Sequence, residues 1–333
     1  MNILKKISWG ILLVCLGCAK DKDELPVKVN EQLNIIVTPD LSNRIESSLY
    51  PKPVADTVLI NAIYDDYFEK LYHIRKRVLG QKDRISMVFT NPAIINKFDI
   101  KANSFTLDLS NKLNADRISY LKGDQYKNDL SKIHKKTAEL YHMALKNITG
   151  GDIYNYLKEQ LNDNNIKSDK APVIVEGTQI INRERNIVIM FTDGYIEAGL
   201  YGNSNCIAGT HKCFYLDKTR IDNFRKEFKK SDYKNLHEFF DNSDYGVVPV
   251  DNKVLPNVEL LVVELYDRSL NLKTGSQTIV PNDYDILQLF WQDWLKKSGV
   301  KHFKLMKYTS SKEDFINSLV GFINEDPNDA RVY

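Results

Sequence analysis

Short apolar runs alternate along this chain with longer stretches in which apolar residues recur every three or four positions. The short runs predict buried strands, and the periodic stretches predict helices with one apolar face. The predicted strands cover residues 33–38, 85–90, 186–191, 258–265 and 302–306, and the predicted helices cover residues 60–78, 133–144, 152–161, 286–295 and 315–322. Residues 105–109 alternate between apolar and polar side chains, which is typical of an edge strand. This order predicts an α/β fold: a doubly wound, mostly parallel sheet with one antiparallel edge strand, flanked by helices.

Local signals place the boundaries of these elements. Gly80 and Gly299 are expected to end two of the helices. Ser310 and Glu313 form a capping box that would open the last helix. Residues 200–252 are polar and rich in Asn, Asp and Lys, so we expect an insertion there, with a helix over 220–240. We therefore predict one domain over residues 32–325, followed by a short tail over 326–333.

The first seventeen residues have the pattern of a signal peptide. Lys5 and Lys6 precede an apolar run over residues 7–16. A run of this length is too short to span a bilayer core, which needs roughly 20 apolar residues. Its size and its basic flank are those of the core of a secretory signal. An uncleaved anchor, or a buried strand with two incidental cysteines, is the alternative interpretation.

The sequence Leu-Gly-Cys at the end of this run resembles the lipobox of bacterial lipoproteins. It departs from that motif at Cys15, where the family usually has Leu. The resemblance implies cleavage before Cys18, acyl chains such as palmitate on that cysteine, and a flexible tether over residues 18–31. The residue after Cys18 is Ala19 rather than the Asp that commonly retains lipoproteins at the inner membrane. The charged run that follows resembles the export signals of surface lipoproteins, which implies the outer membrane or the cell surface.

The charge balance does not indicate a nucleic-acid partner. The chain has 46 Lys and Arg residues against 44 Asp and Glu residues, a formal net charge of +2. Removal of the signal peptide with its two lysines would bring the net charge to about 0. Proteins that bind nucleic acids are usually far more basic.

Two cysteines remain beyond the signal and the lipidation site. Cys206 and Cys213 lie close together in the polar insertion. We expect a disulfide between them, because an exported protein is in an oxidising compartment. Two free thiols are the alternative, whereas a zinc site would need a second pair of ligands.

Carboxylates and hydroxyls follow three predicted segments at the points where a doubly wound sheet holds its ligand crevice. Asp40 and Ser42 come directly after the first strand. Asp152 follows a Gly-Gly turn that precedes a helix, and Asp193 lies in a Thr-Asp-Gly turn after the central strand. Ligands that are all oxygen suit a hard divalent cation such as Mg²⁺, Ca²⁺ or Mn²⁺. The sequence therefore predicts a metal site made by these four residues.

These motifs and their order resemble the von Willebrand factor type A (vWA) domain family, over roughly residues 32–325. That family has an Asp-x-Ser-x-Ser motif, a Thr or Asp after a Gly-Gly turn, and an Asp in a Thr-Asp-Gly-like turn. The resemblance implies a metal-ion-dependent adhesion site, in which a carboxylate of a protein partner fills an open position on the ion. Tyr195, Glu197 and the loop over residues 200–215 would then lie near its rim.

The chain departs from the first motif at Arg44, which stands where the family has its second serine. A guanidinium cannot bind a metal, but it pairs well with carboxylates. Two interpretations stay open: Arg44 points away and the ion binds, or Arg44 lies among the aspartates and replaces the ion.

The function implied by the resemblance is protein binding by a membrane-anchored lipoprotein, without catalysis. One alternative is a metal-free accessory lipoprotein of a secretion or conjugation apparatus in the envelope. Another is a magnesium-dependent phosphohydrolase with Asp40 as nucleophile, although Ser42 stands where that chemistry would need a second Asp.

Overall fold

The computed structural model describes residues 25–77, 81–91, 93–147, 150–197, 205–271 and 273–327. In chain order the elements are β1 (Val27–Pro39), α1 (Asp56–Asp65), β2 (Arg84–Met87), α2 (Ala93–Lys97), β3 (Leu107–Asp108), α3 (Asn114–Lys122), α4 (Asp124–Lys146), α5 (Ile153–Asn155), β4 (Lys170–Val175), β5 (Thr178–Phe191), β6 (His211–Cys213), α6 (Lys218–Lys230), α7 (Leu236–Asn242), β7 (Tyr245–Val247), β8 (Val258–Leu265), α8 (Asp283–Lys297), β9 (His302–Lys307) and α9 (Lys312–Asn324).

Seven of the described strands form one sheet. Its order is β3-β2-β1-β5-β8-β9, and β4 pairs with the first part of β5. Strands β1, β2, β5, β8 and β9 are parallel, and β3 is antiparallel at one edge. The predicted fold class is confirmed, including the antiparallel edge strand within residues 105–109. A second antiparallel strand, β4, was not predicted.

Helices cover both faces of this sheet because its central strands are apolar on both sides. On one face, Ile35 and Val37 of β1 pack in a core with side chains of α1, α4 and α9. On the other face, Ile36 packs in a second core that contains Trp291 and Trp294 of α8. The carboxyl ends of the parallel strands therefore meet at one open edge of the sheet, which we call the strand-end edge.

Strands β1 and β5 extend well beyond the predicted strands at the opposite, amino end of the sheet. Residues 27–31 pair with residues 179–183, and β4 joins them through a turn at Glu176 and Gly177, both with positive φ. We call residues 27–31, 170–175 and 178–183 the ribbon. The predicted tether over 18–31 is thus wrong for residues 27–31, because β5 pairs with them as a strand. Residues 18–24, with Cys18, lie outside the described residues.

Two predicted helices are interrupted. Helix α1 ends at Asp65 and is followed by a π-helical segment, Tyr67–Leu71, and a 3₁₀ turn, Ile74–Lys76. The helix predicted over 152–161 is α5 followed by the π-helical segment Tyr156–Gln160. An apolar spacing of three or four residues is compatible with these local changes of helical pitch, so the sequence pattern did not reveal them. The stop expected at Gly80 lies outside the described part of the chain.

Two further boundaries differ from the sequence prediction. The capping box at Ser310 is wrong by one residue, because Ser311 caps α9 by accepting a hydrogen bond from the backbone of Asp314 at 3.0 Å. The helix predicted over 220–240 is two helices, α6 and α7. Asn235 caps the second of them and so begins a new helix inside the predicted one.

Candidate functional site

Asp40 lies at the strand-end edge, immediately after β1. Its backbone N–H donates to the carbonyl of Phe191 on β5, at 2.9 Å, which continues the parallel pairing to this point. Its carboxylate accepts hydrogen bonds from the backbone N–H of Ser42 at 3.1 Å and from the hydroxyl of Thr192 at 3.2 Å. The side chain of Ser42 makes no capping hydrogen bond with the 3₁₀ turn that follows it.

Burial shifts the charge state of Asp40. Desolvation raises the pKa of its carboxyl group from 3.8 to about 6; the positive charge of Arg44 opposes this shift, and the negative charge of Asp193 adds to it. Asp40 and Asp193 are therefore close enough to repel each other. The sequence prediction that these two motifs meet at one edge of the sheet agrees with this arrangement.

Asp193 follows β5 in a turn that requires glycine. Gly194 has φ of 93°, and a Cβ there would lie 2.6 Å from a side-chain carbon of Leu265. One carboxylate oxygen of Asp193 accepts a hydrogen bond from the backbone of Tyr195 at 3.2 Å. The other accepts a hydrogen bond from Arg268 at 2.7 Å. Both carboxylate oxygens of Asp193 are thus hydrogen-bonded, and its charge is balanced by an arginine from the loop after β8.

Arg268 was not predicted from the sequence, and it is the central cation of the strand-end edge. Its guanidinium bridges Asp193 and Glu197, and lies 3.8 Å from the ring centroid of Tyr195 and 5.0 Å from that of Tyr50. Burial opposes the charge of Arg268, but the two carboxylates outweigh that effect and raise its pKa. Glu197 lies near the rim, as expected. Tyr195 is buried, with its hydroxyl bound to Asp283, so its prediction as a rim residue is wrong.

Arg44 donates its hydrogen bonds to Asp56 and to the backbone of Asp40, not to the site carboxylates. Its guanidinium pairs with Asp56 at the start of α1, at 2.6 Å, and donates to the backbone carbonyl of Asp40 at 3.0 Å. Lys52 also pairs with Asp56 and reaches Glu264 at 3.1 Å. Burial alone would favour the neutral acid, but Arg44 and Lys52 hold the pKa of Asp56 below its usual range. Arg44 thus forms its ion pair with Asp56 rather than with one of the predicted aspartates.

Asp152 caps α5, and its side chain accepts a hydrogen bond from the backbone N–H of Asn155 at 2.9 Å. The glycine before it lies directly against the site. A Cβ on Gly151 would lie 2.4 Å from a carboxylate oxygen of Asp40 and 2.9 Å from the hydroxyl of Thr90. The Gly-Gly turn thus brings the third predicted motif to the same edge as Asp40.

A divalent cation at the predicted donors would have to compete with hydrogen bonds that these side chains already make. Both carboxylate oxygens of Asp40 and both of Asp193 already accept hydrogen bonds. An ion on the outer oxygen of Asp193 would have to displace Arg268. Among the described residues, no group of three His, Cys, Asp or Glu side chains could hold a metal ion.

The insertion contains the expected disulfide. Cys206 and Cys213 are joined by an S–S bond of 2.02 Å, and the backbones of these two residues also form an antiparallel bridge. The bond ties the end of β6 to the segment that precedes it. Of the loop predicted at the rim, residues 205–215 are described and residues 200–204 are not.

Comparison with known proteins gives little further information. No known protein family matches the chain. No curated protein matches it. A solved structure, the pilus adhesin SpaC from Lactobacillus rhamnosus GG, aligns with 92 % of this chain at 11 % identity and a TM-score of 0.34. The alignment spans only 31 % of the adhesin. Within the described part of the chain, no helix combines the length and hydropathy needed to cross a bilayer.

Proposed function

We propose that this chain is a lipid-anchored envelope protein whose vWA-like domain binds a protein partner at the strand-end edge. Three observations support the proposal. The sheet is mostly parallel with an antiparallel edge strand. Residues of all three predicted motifs come to its strand-end edge, where ligands bind in folds of this kind. The sequence around Cys18 carries the pattern of a lipidation site. We place the anchor in the outer membrane, at the periplasmic or the cell surface.

The observation that carries the binding proposal is a group of tyrosines around Arg268. The rings of Tyr50 and Tyr266 pack edge to face with centroids 5.6 Å apart, and the ring of Tyr308 lies 5.7 Å from that of Tyr266. Tyr50 and Tyr308 are partly exposed. Tyrosine and arginine are enriched at the energetic centres of protein interfaces, because they combine a large apolar area with polar groups.

Arg268 has the role in this proposal that the metal ion has in the resemblance. It is a fixed cation at the strand-end edge, and its two carboxylate partners differ in exposure. The side chain of Asp193 is 4 % exposed, whereas that of Glu197 is 35 % exposed. A carboxylate of the partner protein can replace Glu197 and form a bidentate pair with Arg268 while Asp193 stays in place.

A capture experiment tests this mode of binding. The lipidated protein, purified in detergent, is immobilised and exposed to an envelope extract, with and without a metal chelator. Bound proteins are quantified by mass spectrometry. We expect one partner to be captured regardless of chelator, and to be lost with Arg268→Gln and with Tyr50→Ala. Lys132→Ala, on the exposed side of α4, is the control for removal of a cation. Equal capture by all variants would show that the strand-end edge is not the binding surface.

A metal-bridged mode is the second candidate, and one observation favours it. Burial and repulsion from Asp193 both raise the pKa of Asp40, and a nearby cation would offset these effects by stabilising the charged carboxylate. In this mode Arg268 must first release Asp193. Calorimetric titration with Mg²⁺, Ca²⁺ and Mn²⁺ should then give weak binding to the native protein and tighter binding to Arg268→Ala. No heat of binding to either protein at millimolar ion concentrations would exclude this mode. It would also be excluded if Asp193→Ala and added chelator both left the amount of captured partner equal to that captured by the native protein.

A further inference from the structure

The ribbon carries an unusual share of the exposed apolar surface. Among the described residues, twelve large hydrophobic side chains are exposed. Six of them belong to the ribbon or to the residues that lead into it: Leu25, Val27, Val29, Val173, Ile174 and Val175. Exposed apolar side chains that occur singly need no explanation, but a contiguous group marks a protein or membrane contact.

The pairing register places three of these side chains on one face. Val27 is paired with Gln179, which is also paired with Ile174 on the other side of β5. Paired residues point to the same face of a sheet, and alternate residues along a strand do so as well. Val27, Val29 and Ile174 therefore share a face, on which they are 58 %, 46 % and 67 % exposed.

The ribbon is also the part of the described structure that joins directly to the proposed anchor. Cys18 precedes Leu25 by seven residues. Seven residues span at most about 25 Å when fully extended, which is less than the thickness of a bilayer with its headgroups. Lipid on Cys18 thus keeps the ribbon within reach of the membrane surface at all times.

Basic side chains flank the apolar face. Lys76 and Arg183 line a cleft of about 380 Å³ together with Val29, and Arg183, which pairs with Glu31, points to the same face of the ribbon as Val29. The ion pairs in this region are made by Arg75, Arg77 and Arg185, so Lys76 and Arg183 can meet lipid phosphates. Glu176, at the tip of the ribbon, is the exposed acid nearest to Ile174 in the chain.

We propose that the ribbon lies on the phospholipid surface to which Cys18 is anchored, with the face of Val27, Val29 and Ile174 against the lipid. The proposal rests on the proposed lipidation of Cys18. Addition of a strand from a second copy to the edge of β4 is less favourable, because Pro172 lacks the N–H that a new partner strand would need. The strand-end edge, at the other end of the parallel strands, then faces away from the membrane.

Fluorescence quenching in vesicles tests the proposal. In the lipidated protein Cys206 and Cys213 are bonded to each other, so an introduced cysteine is the single free thiol for a polarity-sensitive dye. The dye is placed at Ile174→Cys and, as a control, at Leu49→Cys, an exposed residue in the loop after the carboxyl end of β1. The lipidated protein is reconstituted at low density in vesicles of phosphatidylethanolamine and phosphatidylglycerol. Nitroxide lipids should quench the dye at residue 174 and leave the dye at residue 49 unquenched.

Two further measurements separate the possible failures. Mass spectrometry of the amino-terminal peptide tests lipidation itself. If Cys18 carries no lipid, the proposed anchoring fails, and vesicle flotation of the unlipidated chain then tests the ribbon alone. In that assay the double variant Val27→Ser/Ile174→Ser should bind vesicles at least about tenfold more weakly than the control variant Leu49→Ser. Absence of quenching at residue 174 in the lipidated protein would overturn the proposal. The proposal would also be overturned if quenching grew with protein density and energy transfer occurred between labelled copies. That result would indicate that a second copy of the chain, and not lipid, covers the apolar face of the ribbon.

Discussion

Replacing the buried carboxylate of Asp40 by its neutral isostere should stabilise the protein, increasingly so as the pH rises. Burial raises the pKa of Asp40 from 3.8 to about 6, so the folded state holds a proton there that the unfolded chain has already lost. Between these two pKa values the stability of the native protein therefore falls with rising pH. One pKa unit corresponds to about 1.4 kcal/mol, so ionising Asp40 costs the folded state about 3 kcal/mol above pH 6.

Asn can replace Asp40 without losing its hydrogen bonds. The amide oxygen can accept from the backbone of Ser42, and the amide nitrogen can donate to the hydroxyl of Thr192. The free energy of unfolding of Asp40→Asn, measured relative to that of the native protein, should rise by about 2 kcal/mol between about pH 4.5 and about pH 7.5. This is the part of the 3 kcal/mol that falls in this pH range. Urea unfolding at a series of pH values measures this difference directly. Asp241→Asn, on the exposed side of α7, controls for the loss of one negative charge.

The comparison between the two proteins also reports on a cation. Curves for the native protein and Asp40→Asn that stay parallel over this pH range would refute the reasoning. That result would mean that the charge of Asp40 is fully compensated in the folded state. If millimolar magnesium is needed to make the curves parallel, the metal-bridged mode gains support. If magnesium has no effect on the curves, Asp193 is paired with Arg268 in the folded protein in solution, as it is in the structure.

Three other predictions follow from contacts in the structure. Gly151→Ala should lower the free energy of unfolding by about 1–3 kcal/mol, because its methyl group would lie against a carboxylate oxygen of Asp40. Gly321→Ala, in the open middle of α9, should raise it by about 0.5–1 kcal/mol. Denaturant titration measures both changes. Replacing both cysteines of the disulfide by serine should cost about 2–3 kcal/mol, with faster amide exchange confined to the insertion. Burial lowers the pKa of His302, but hydrogen bonds to two glutamates outweigh this effect and raise it above 6.5, so the stabilisation by His302 is complete below pH 6.5 and is lost as the pH rises through the raised pKa. Thermal unfolding should accordingly show the native protein losing more stability than His302→Phe between about pH 6 and about pH 9.

The fold was predictable because its signals are local and repeated. Each central strand is a continuous apolar run, and each long helix has an apolar face, so neighbouring residues suffice to predict them. The ribbon lacks that signal. Residues 27–31 alternate between apolar and polar side chains next to a strongly charged segment, and their pairing partners lie about 150 residues away in the chain. Only the long-range pairing with β5 distinguishes them from a tether.

Part of the candidate site was predictable because its residues directly follow strands that have strong local signals. Asp40 and Asp193 follow strongly predicted strands, so their convergence follows from the parallel arrangement of the sheet. Arg268 also follows a strand, but it is one of 46 basic residues, and no local pattern links it to an aspartate 75 positions earlier. The pairing of Arg44 with Asp56 was missed similarly, because the sequence does not show which of many carboxylates an arginine will meet.

The length of β1 has a mechanical consequence. This single strand runs through the domain from the end nearest Cys18 to Asp40, and thirteen of its residues are in register with β5. A partner that pulls on the strand-end edge while the lipid holds Cys18 would apply tension along β1. The backbone hydrogen bonds between β1 and β5 would then be loaded together in shear, and they would have to break nearly at once before the sheet could open. With the anchor and the binding edge that we propose, this pairing would carry a load between the membrane and the partner.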